Sequence, residues 1–302
     1  MFAAGSPSDA LDGAPALQRV DGEARVVFKR GAAGATRLAD LYQRGAAKIR
    51  LPNTHDGLAE AVLLNASGGV TEGDRLAYGV GLEAGAAAVV ATQAAERVYR
   101  APRDSGAARI RNTVTLGPGA RLDWLAQETI LFDRGRLDRS LSVEMAEDAA
   151  FLGFEPLVFG REAMGESVGR GFLSDRWRIR RGGRLIYADA TRLEGDIAAI
   201  LARPSALGGR RAMASLVYVA PDAADRLEPL RAIFAELRGA GADDEPGCGD
   251  MFASAAPLAA ASAWNSVLSA RLTAPSGGSL MVFAAAALQA FRGAPTPRVW
   301  RC

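Results

Sequence analysis

Up to Ala220, apolar and polar residues alternate along most of the chain with period two, the spacing that puts every second side chain on one face of a strand. In RLAYGVGL, residues 75–82, that face carries Leu76, Tyr78, Val80 and Leu82. A turn, EAGA, follows, and the apolar run AAVVATQ begins after it. The same order recurs in NTVTLGPGARLDWLAQ, residues 112–127, and more loosely in LSVEMAEDAAFLGFEP, residues 141–156. Val80-x-Leu82, Val114-x-Leu116 and Val143-x-Met145 each precede a four-residue turn ending in Ala. The spacing predicts an irregular repeat of strand, tight turn, strand, as in a series of hairpins. Such units cannot bury their apolar faces singly and have to stack. A chance likeness among ordinary hairpins is the alternative.

Further strands are legible on either side. ADLYQRGAAKIRLP, residues 39–52, is expected to open the sheet region. In RWRIRRGGRLIYADATRL, Trp177 and Ile179 alternate with Arg176, Arg178 and Arg180, and Gly182-Gly183 suits a primed turn with positive φ at both central positions. Helical spacing comes late. Leu227, Leu230, Ile233, Phe234 and Leu237 form a stripe, with Asp222 as N-cap and Gly239 just past the C-terminus. GSLMVFAAAALQAFRG is apolar nearly all round and ends at Gly293, which predicts a helix that is buried or covered by a partner. ADDEPGCGD, residues 242–250, reads as an exposed loop. The expected fold is therefore mainly β: layered or solenoid-like stacked sheets with a few helices, two of them in the C-terminal third. Residues 1–22 read as a flexible tail and 23–302 as a single domain.

Composition narrows the function classes. The formal net charge is +2, nearly all cations are Arg, and Lys occurs only at Lys29 and Lys48. The arginines are scattered among acids, which disfavours nucleic acid as a partner. The longest apolar run, Leu280 to Leu288, is too short to span a bilayer. The start of the sequence lacks a basic segment followed by an apolar one, and two distant cysteines, Cys248 and Cys302, make no disulfide framework. A reducing cytoplasm and no membrane are the expectation.

Candidate chemistry is sparse. Residues 63–82, LLNASGGVTEGDRLAYGVGL, carry Ser67-Gly68-Gly69 and Gly73-Asp74 between two apolar segments. A phosphate loop needs a Lys and a following helix; here Glu72 and a strand stand in their place. The stretch reads as a structural corner, with Asp74 bonding loop amides. Glu128 and Asp133 follow a strand bearing Trp124, and a pair of carboxylates near an aromatic could serve a carbohydrate-active enzyme. His55 is the one histidine, so neither histidine-based catalysis nor a four-ligand nickel or zinc cage is supported. Carboxylates could still hold a divalent ion weakly, which suits passage better than storage. From the residues alone, the open readings are a scaffold or interaction protein, a plain β structural domain, or an enzyme using Glu128 and a second acid.

Four blocks in order add a resemblance. NASGGVTEGDRL, WLAQETILFD, LGFEPLVFGREAMGESVGRG and the ending SAWNSVLSARLTAP…PRVW resemble the urease accessory protein family called UreD or UreH, over about Gly34 to Cys302. Ala126 stands where Pro is usual, and Phe154 where an aromatic, often Trp, is usual. The resemblance implies a mostly β, non-catalytic chaperone of urease maturation. It would bind apo-urease and a helical partner of the UreF type, which recruits a GTPase of the UreG type. Nickel would be in transit, through an internal channel, and no cofactor would be held stably. The residues carrying the motif are Ser67, Gly68, Gly69, Gly73, Asp74, Trp124, Gln127, Glu128, Gly160, Arg161 and Gly165. Candidate acids for a transient nickel path are Glu72, Asp74, Glu128, Asp133, Glu155 and Glu166.

Overall fold

The computed structural model describes residues 18–301 apart from 33, 55–57, 103–105, 162–163 and 241–255. His55, both cysteines and the expected loop 242–250 lie outside the described residues. In chain order the strands are β1 (Asp21–Arg30), β2 (Thr36–Gly45), β3 (Ala47–Arg50), β4 (Ala59–Asn65), β5 (Arg75–Leu82), β6 (Ala87–Thr92), β7 (Glu96–Val98), β8 (Ala108–Leu116) and β9 (Arg121–Leu125). They continue as β10 (Thr129–Leu131), β11 (Arg136–Met145), β12 (Ala150–Phe159), β13 (Arg170–Arg181), β14 (Arg184–Asp196), β15 (Ala212–Val219), β16 (Leu258–Trp264) and β17 (Val267–Ala274). The helices are α1 (Ile197–Ala202), α2 (Leu227–Ala240) and α3 (Gly277–Arg292).

The strands form two stacked sheets. The first runs β14-β13-β11-β8-β5-β1-β2; the second runs β16-β17-β15-β12-β9-β6-β4-β3, with β10 pairing β12 and β7 beside it. Three repeat units build the centre. In each, a strand of the first sheet (β5, β8 or β11) leads through a four-residue turn to a strand of the second (β6, β9 or β12). Equivalent strands pair in parallel, so Val80 lies beside Val114 and Val114 beside Val143, while Leu82, Leu116 and Met145 line up in the same way. All six side chains are buried. The apolar repeat is therefore real and in register, but its turns are not hairpins. Each turn passes from one sheet to the other, and its strands pair with the neighbouring unit. A true hairpin does occur at Gly182-Gly183, both at positive φ, where Arg181 pairs with Arg184.

Turn stacks on turn. Gly117 N donates to Leu82 O and Ala146 N to Leu116 O; Arg121 N donates to Ala86 O and Ala150 N to Ala120 O. The turn-ending residues Ala86, Ala120 and Ala149 are fully buried, which leaves room at this position for a methyl group and little more.

Two apolar layers result. The first fills the space between the sheets, with Phe151, Leu157 and Phe159 from β12. The second lies between the second sheet and α2 and α3, with Leu152, Phe154 and Val158 from the same strand. β12 is thus buried on both faces, as a strand in a parallel, covered sheet should be. α3 buries Leu280, Phe283, Ala284, Leu288 and Phe291, is capped by Ser276, and ends at the left-handed Gly293.

Three expectations change. The sheet opens at Asp21, and 39–52 divides between β2 and β3 at Gly45, whose φ is 62°. A Cβ there would lie 1.9 Å from Asp21 O, so the chain must break direction at a glycine. Asp222 does not cap α2: turns separate it from Leu227, and its carboxylate accepts from Tyr218 Oη. Gly239 lies inside α2 rather than beyond it. A short helix, α1, capped by Asp196, was not visible in the sequence pattern.

Ala120→Leu, in the middle turn, is expected to overpack the stack between Ala86 and Ala149 and to cost about 2 kcal/mol. Urea denaturation would show this as a lower midpoint at unchanged m value.

Candidate functional site

β12 is continuous, but the two units beside it are not. β6 and β7 are separated by Gln93–Ala95, and β9 and β10 by Ala126–Glu128. The first half of β12 pairs with β9 and its end with β10. At these breaks the sheets part around a cavity of about 150 Å³. Gly68, Gln93 and Ala94 line its exposed side, while Asn112, Trp124, Thr129, Arg139 and Glu155 line its buried side. The volume is enough for about five waters.

The break is firmly tied. Gln127 N donates to Thr92 Oγ1, and Gln127 Nε2 reaches the carbonyls of Thr92, Gln93 and Val299. Trp300 Nε1 donates to Leu125 O, so the C-terminal PRVW segment closes against the LAQ segment. The glycine corner forms the opposite wall. Asn65 Nδ2 donates to Gly69 O and to Glu96 Oε1, and Ser67 Oγ donates to Gly69 O. A Cβ on Gly69 would lie 2.3 Å from the Tyr99 ring. The corner therefore needs glycine for close approach. Asp74, beyond the corner, accepts from Val20 N and Thr71 N, each at 2.8 Å.

Charge lies in the deep wall. Arg139 occupies a core-facing position of β11, between Leu137 and Leu141. Its Nε and Nη2 grip both oxygens of Asp175 at 2.9 and 2.7 Å, and Nη1 donates to Thr129 Oγ1. Nη2 is also 3.2 Å from Glu155 Oε2, an ion-pair distance without hydrogen-bond alignment; that oxygen has no aligned hydrogen bond, although the Trp177 indole N–H, also without one, interacts with the same carboxylate. Glu155 Oε1 accepts from Trp124 Nε1 at 3.0 Å. Asn112 Oδ1 is a second buried oxygen without a partner. Burial raises the Glu155 carboxyl, against the opposing pull of Arg139. Burial pushes Glu96 up to about 7, more than its bond from Asn65 lowers it. For Arg139, burial acts downward, but Asp175 and Glu155 raise it further, so the guanidinium stays charged.

Of the six candidate acids, Glu155 lines the cavity, and Glu72, Asp74, Glu128, Asp133 and Glu166 do not. Asp133 and Glu166 belong to a separate cluster. Asp133 Oδ1 accepts from Gly169 N and Arg170 N, and Glu166 pairs with Arg161 at 2.5 Å. Gly160, at φ 90°, lets Glu166 O approach there, and Gly165 is also at positive φ. Glu128 offers its carbonyl to Glu96 N. Glu72 is buried beside Gly106. Among the motif residues, Gly68, Gly69, Trp124 and Gln127 meet at the cavity. Glu96, Arg139 and Asn112 were missed. Arg139 did carry a signal, since a charge interrupts an apolar face of period two; Glu96 carried none. Among the described residues, no three His, Cys, Asp or Glu side chains come together to hold a metal ion. No helix among them is long and apolar enough to cross a membrane.

The raised Glu96 carboxyl makes stability depend on pH. Between the ordinary 4.5 and about 7, the folded protein keeps a proton that the unfolded chain has released. Its contribution is complete below that window and is lost as pH rises through it. Glu96→Gln, which can still accept from Asn65, removes this loss. Thermal unfolding should show the variant gaining on the parent from about pH 5 to about pH 8. An unchanged gap would mean that Glu96 is not buried in this way.

A family model described as UreD urease accessory protein matches residues 20–301. A urease accessory protein UreD of Methylobacterium sp. (strain 4-46) is 46% identical over 287 residues, 95% of this chain and 96% of that protein. One of Azorhizobium caulinodans is 45% identical over 290 residues, covering 96% and 99%. One of Rhizobium leguminosarum bv. trifolii is 44% identical over 284 residues, covering 94% and 96%. With a family model matched across nearly its whole length and relatives about 45% identical over almost all of both chains, this chain belongs to the UreD urease accessory protein family.

Proposed function

We propose that the chain acts as a non-catalytic maturation factor for urease that passes nickel through the cavity between its sheets. The observation that carries this reading is the pair of carboxylates, Glu96 and Glu155, set around a cavity that reaches from Gly68 and Gln93 into the core. Nickel is cargo here, not a resident cofactor. Two carboxylates with amide and hydroxyl oxygens attract a divalent ion, and without imidazole or thiolate they release it again. Membership of the family supports a role in urease maturation. Apo-urease, a UreF-type helical protein and, through it, a UreG-type GTPase are the proposed partners, in the cytoplasm. GTP hydrolysis belongs to the GTPase, since this chain carries no phosphate-binding loop motif.

The test reconstitutes apo-urease with the accessory proteins and measures nickel per active site. Omitting this chain should reduce loading to background. Glu155→Gln removes one negative charge beside Arg139 while leaving an oxygen for Trp124, and it should slow loading severalfold with an unchanged circular dichroism spectrum. Loading that proceeds equally without the chain would end the maturation reading. Normal loading with both Glu96→Gln and Glu155→Gln would end the passage through this cavity.

A further inference from the structure

The cavity holds a cation of its own. Arg139 stands between the cavity and Asp175: it lines the cavity, whereas Asp175, which its fork grips, does not. Arg139 also lies 3.2 Å from Glu155 Oε2, so both deep carboxylates already face a positive charge. Two residues of the same lining, Glu155 and Asn112, each carry a buried oxygen without a hydrogen bond of good geometry, and the Trp177 indole N–H, likewise unbonded, interacts with Glu155. Oxygens left open in this way are acceptors awaiting a donor or a cation. The guanidinium cannot give up its proton, so its charge does not leave when another cation arrives.

We propose that Arg139 is a positioning residue that keeps the cavity from trapping a divalent cation. It shields Asp175, shares Glu155 and repels the ion at the deep end, so that binding there stays weak enough for release. The inference rests on the transit reading and specifies which residue sets the affinity. Without Arg139, the oxygens of Glu155 and Asn112, both in the lining, would meet an ion with no fixed positive charge against it, and a passage would become a binding site. Like charges repel strongly where water is scarce, and one tethered positive charge at this range decides the balance.

The test is equilibrium dialysis of the full-length chain against nickel(II), with magnesium(II) as a control for general charge attraction. Arg139→Met strands Asp175 and can prevent folding, so the principal variant is Arg139→Met with Asp175→Asn. That pair removes one charge of each sign, leaves the net charge unchanged and releases Glu155 from its competitor. The double variant should bind nickel about tenfold more tightly than the parent, a change of ~1.4 kcal/mol. It should also load urease more slowly, because the ion is retained. Adding Glu155→Gln should abolish the gain. Equal nickel affinity in parent and double variant overturns the proposal, as does a gain that survives Glu155→Gln. Dialysis contains no urease, so its result stands apart from the transit reading. That reading fails separately, if urease loads normally when Glu96 and Glu155 are both neutralised in the parent.

Discussion

The stacking of turn on turn is the constraint from which the rest follows. The bonds from Gly117 N to Leu82 O and from Ala150 N to Ala120 O hold successive repeat units in one register. Because side chains alternate along a strand, a slip of one residue would send every core side chain to the opposite face. With the turns locked, the strands on both sides have no choice of partner. Val80, Val114 and Val143 form one ladder in the first sheet, and the strands that leave the turns form another in the second.

The cavity follows from a mismatch within that order. β12 runs unbroken through ten residues, whereas its neighbours cover the same length in two pieces. Gln93–Ala95 and Ala126–Glu128 interrupt the ladder, and residues from both breaks line the cavity. Gln127 Nε2 donates to the carbonyls of Thr92, Gln93 and Val299, the last from the C-terminal segment. Gln127 belongs here because a broken strand exposes backbone groups that need partners. Gly69 serves the same end from the other wall, where any side chain would strike Tyr99.

Much of the fold was legible in the alternation. The face of Leu76, Tyr78, Val80 and Leu82, the hairpin at Gly182-Gly183 and the apolar helix ending at Gly293 stand where the pattern put them. What the pattern could not give was the partner of each strand. A four-residue turn serves equally well to fold a strand back on itself or to carry it across to another sheet; two-residue turns with positive φ at both central positions, Gly182-Gly183 and Asn265-Ser266, are specific to hairpins, and of these the paired glycines are the clearer signal in the sequence. The candidate site was legible as motifs but not as a place. Glu155 and Trp124 are 31 positions apart, and Arg139 and Asp175 are 36 apart. The sheet register brings Arg139 and Asp175 side by side, and no local signal announces that pairing. Asp74 and Asp133 accept from loop amides and Glu166 pairs with Arg161, roles that sequence cannot separate from lining a cavity.

The buried charges are not explained by stability. Replacing a buried ion pair with apolar residues of matching volume often leaves a protein as stable or more so, because desolvation offsets the attraction. Leu137 and Leu141 flank Arg139 on the same face of β11, and nothing in the backbone would prevent a third aliphatic residue between them. A core that carries Arg139, Asp175 and Glu155 there gains little net stability from the ion pairs, and two of its oxygens form no aligned hydrogen bond. The arrangement makes sense if those oxygens are needed in turn by something that comes and goes. A site that held its cargo firmly would satisfy them permanently.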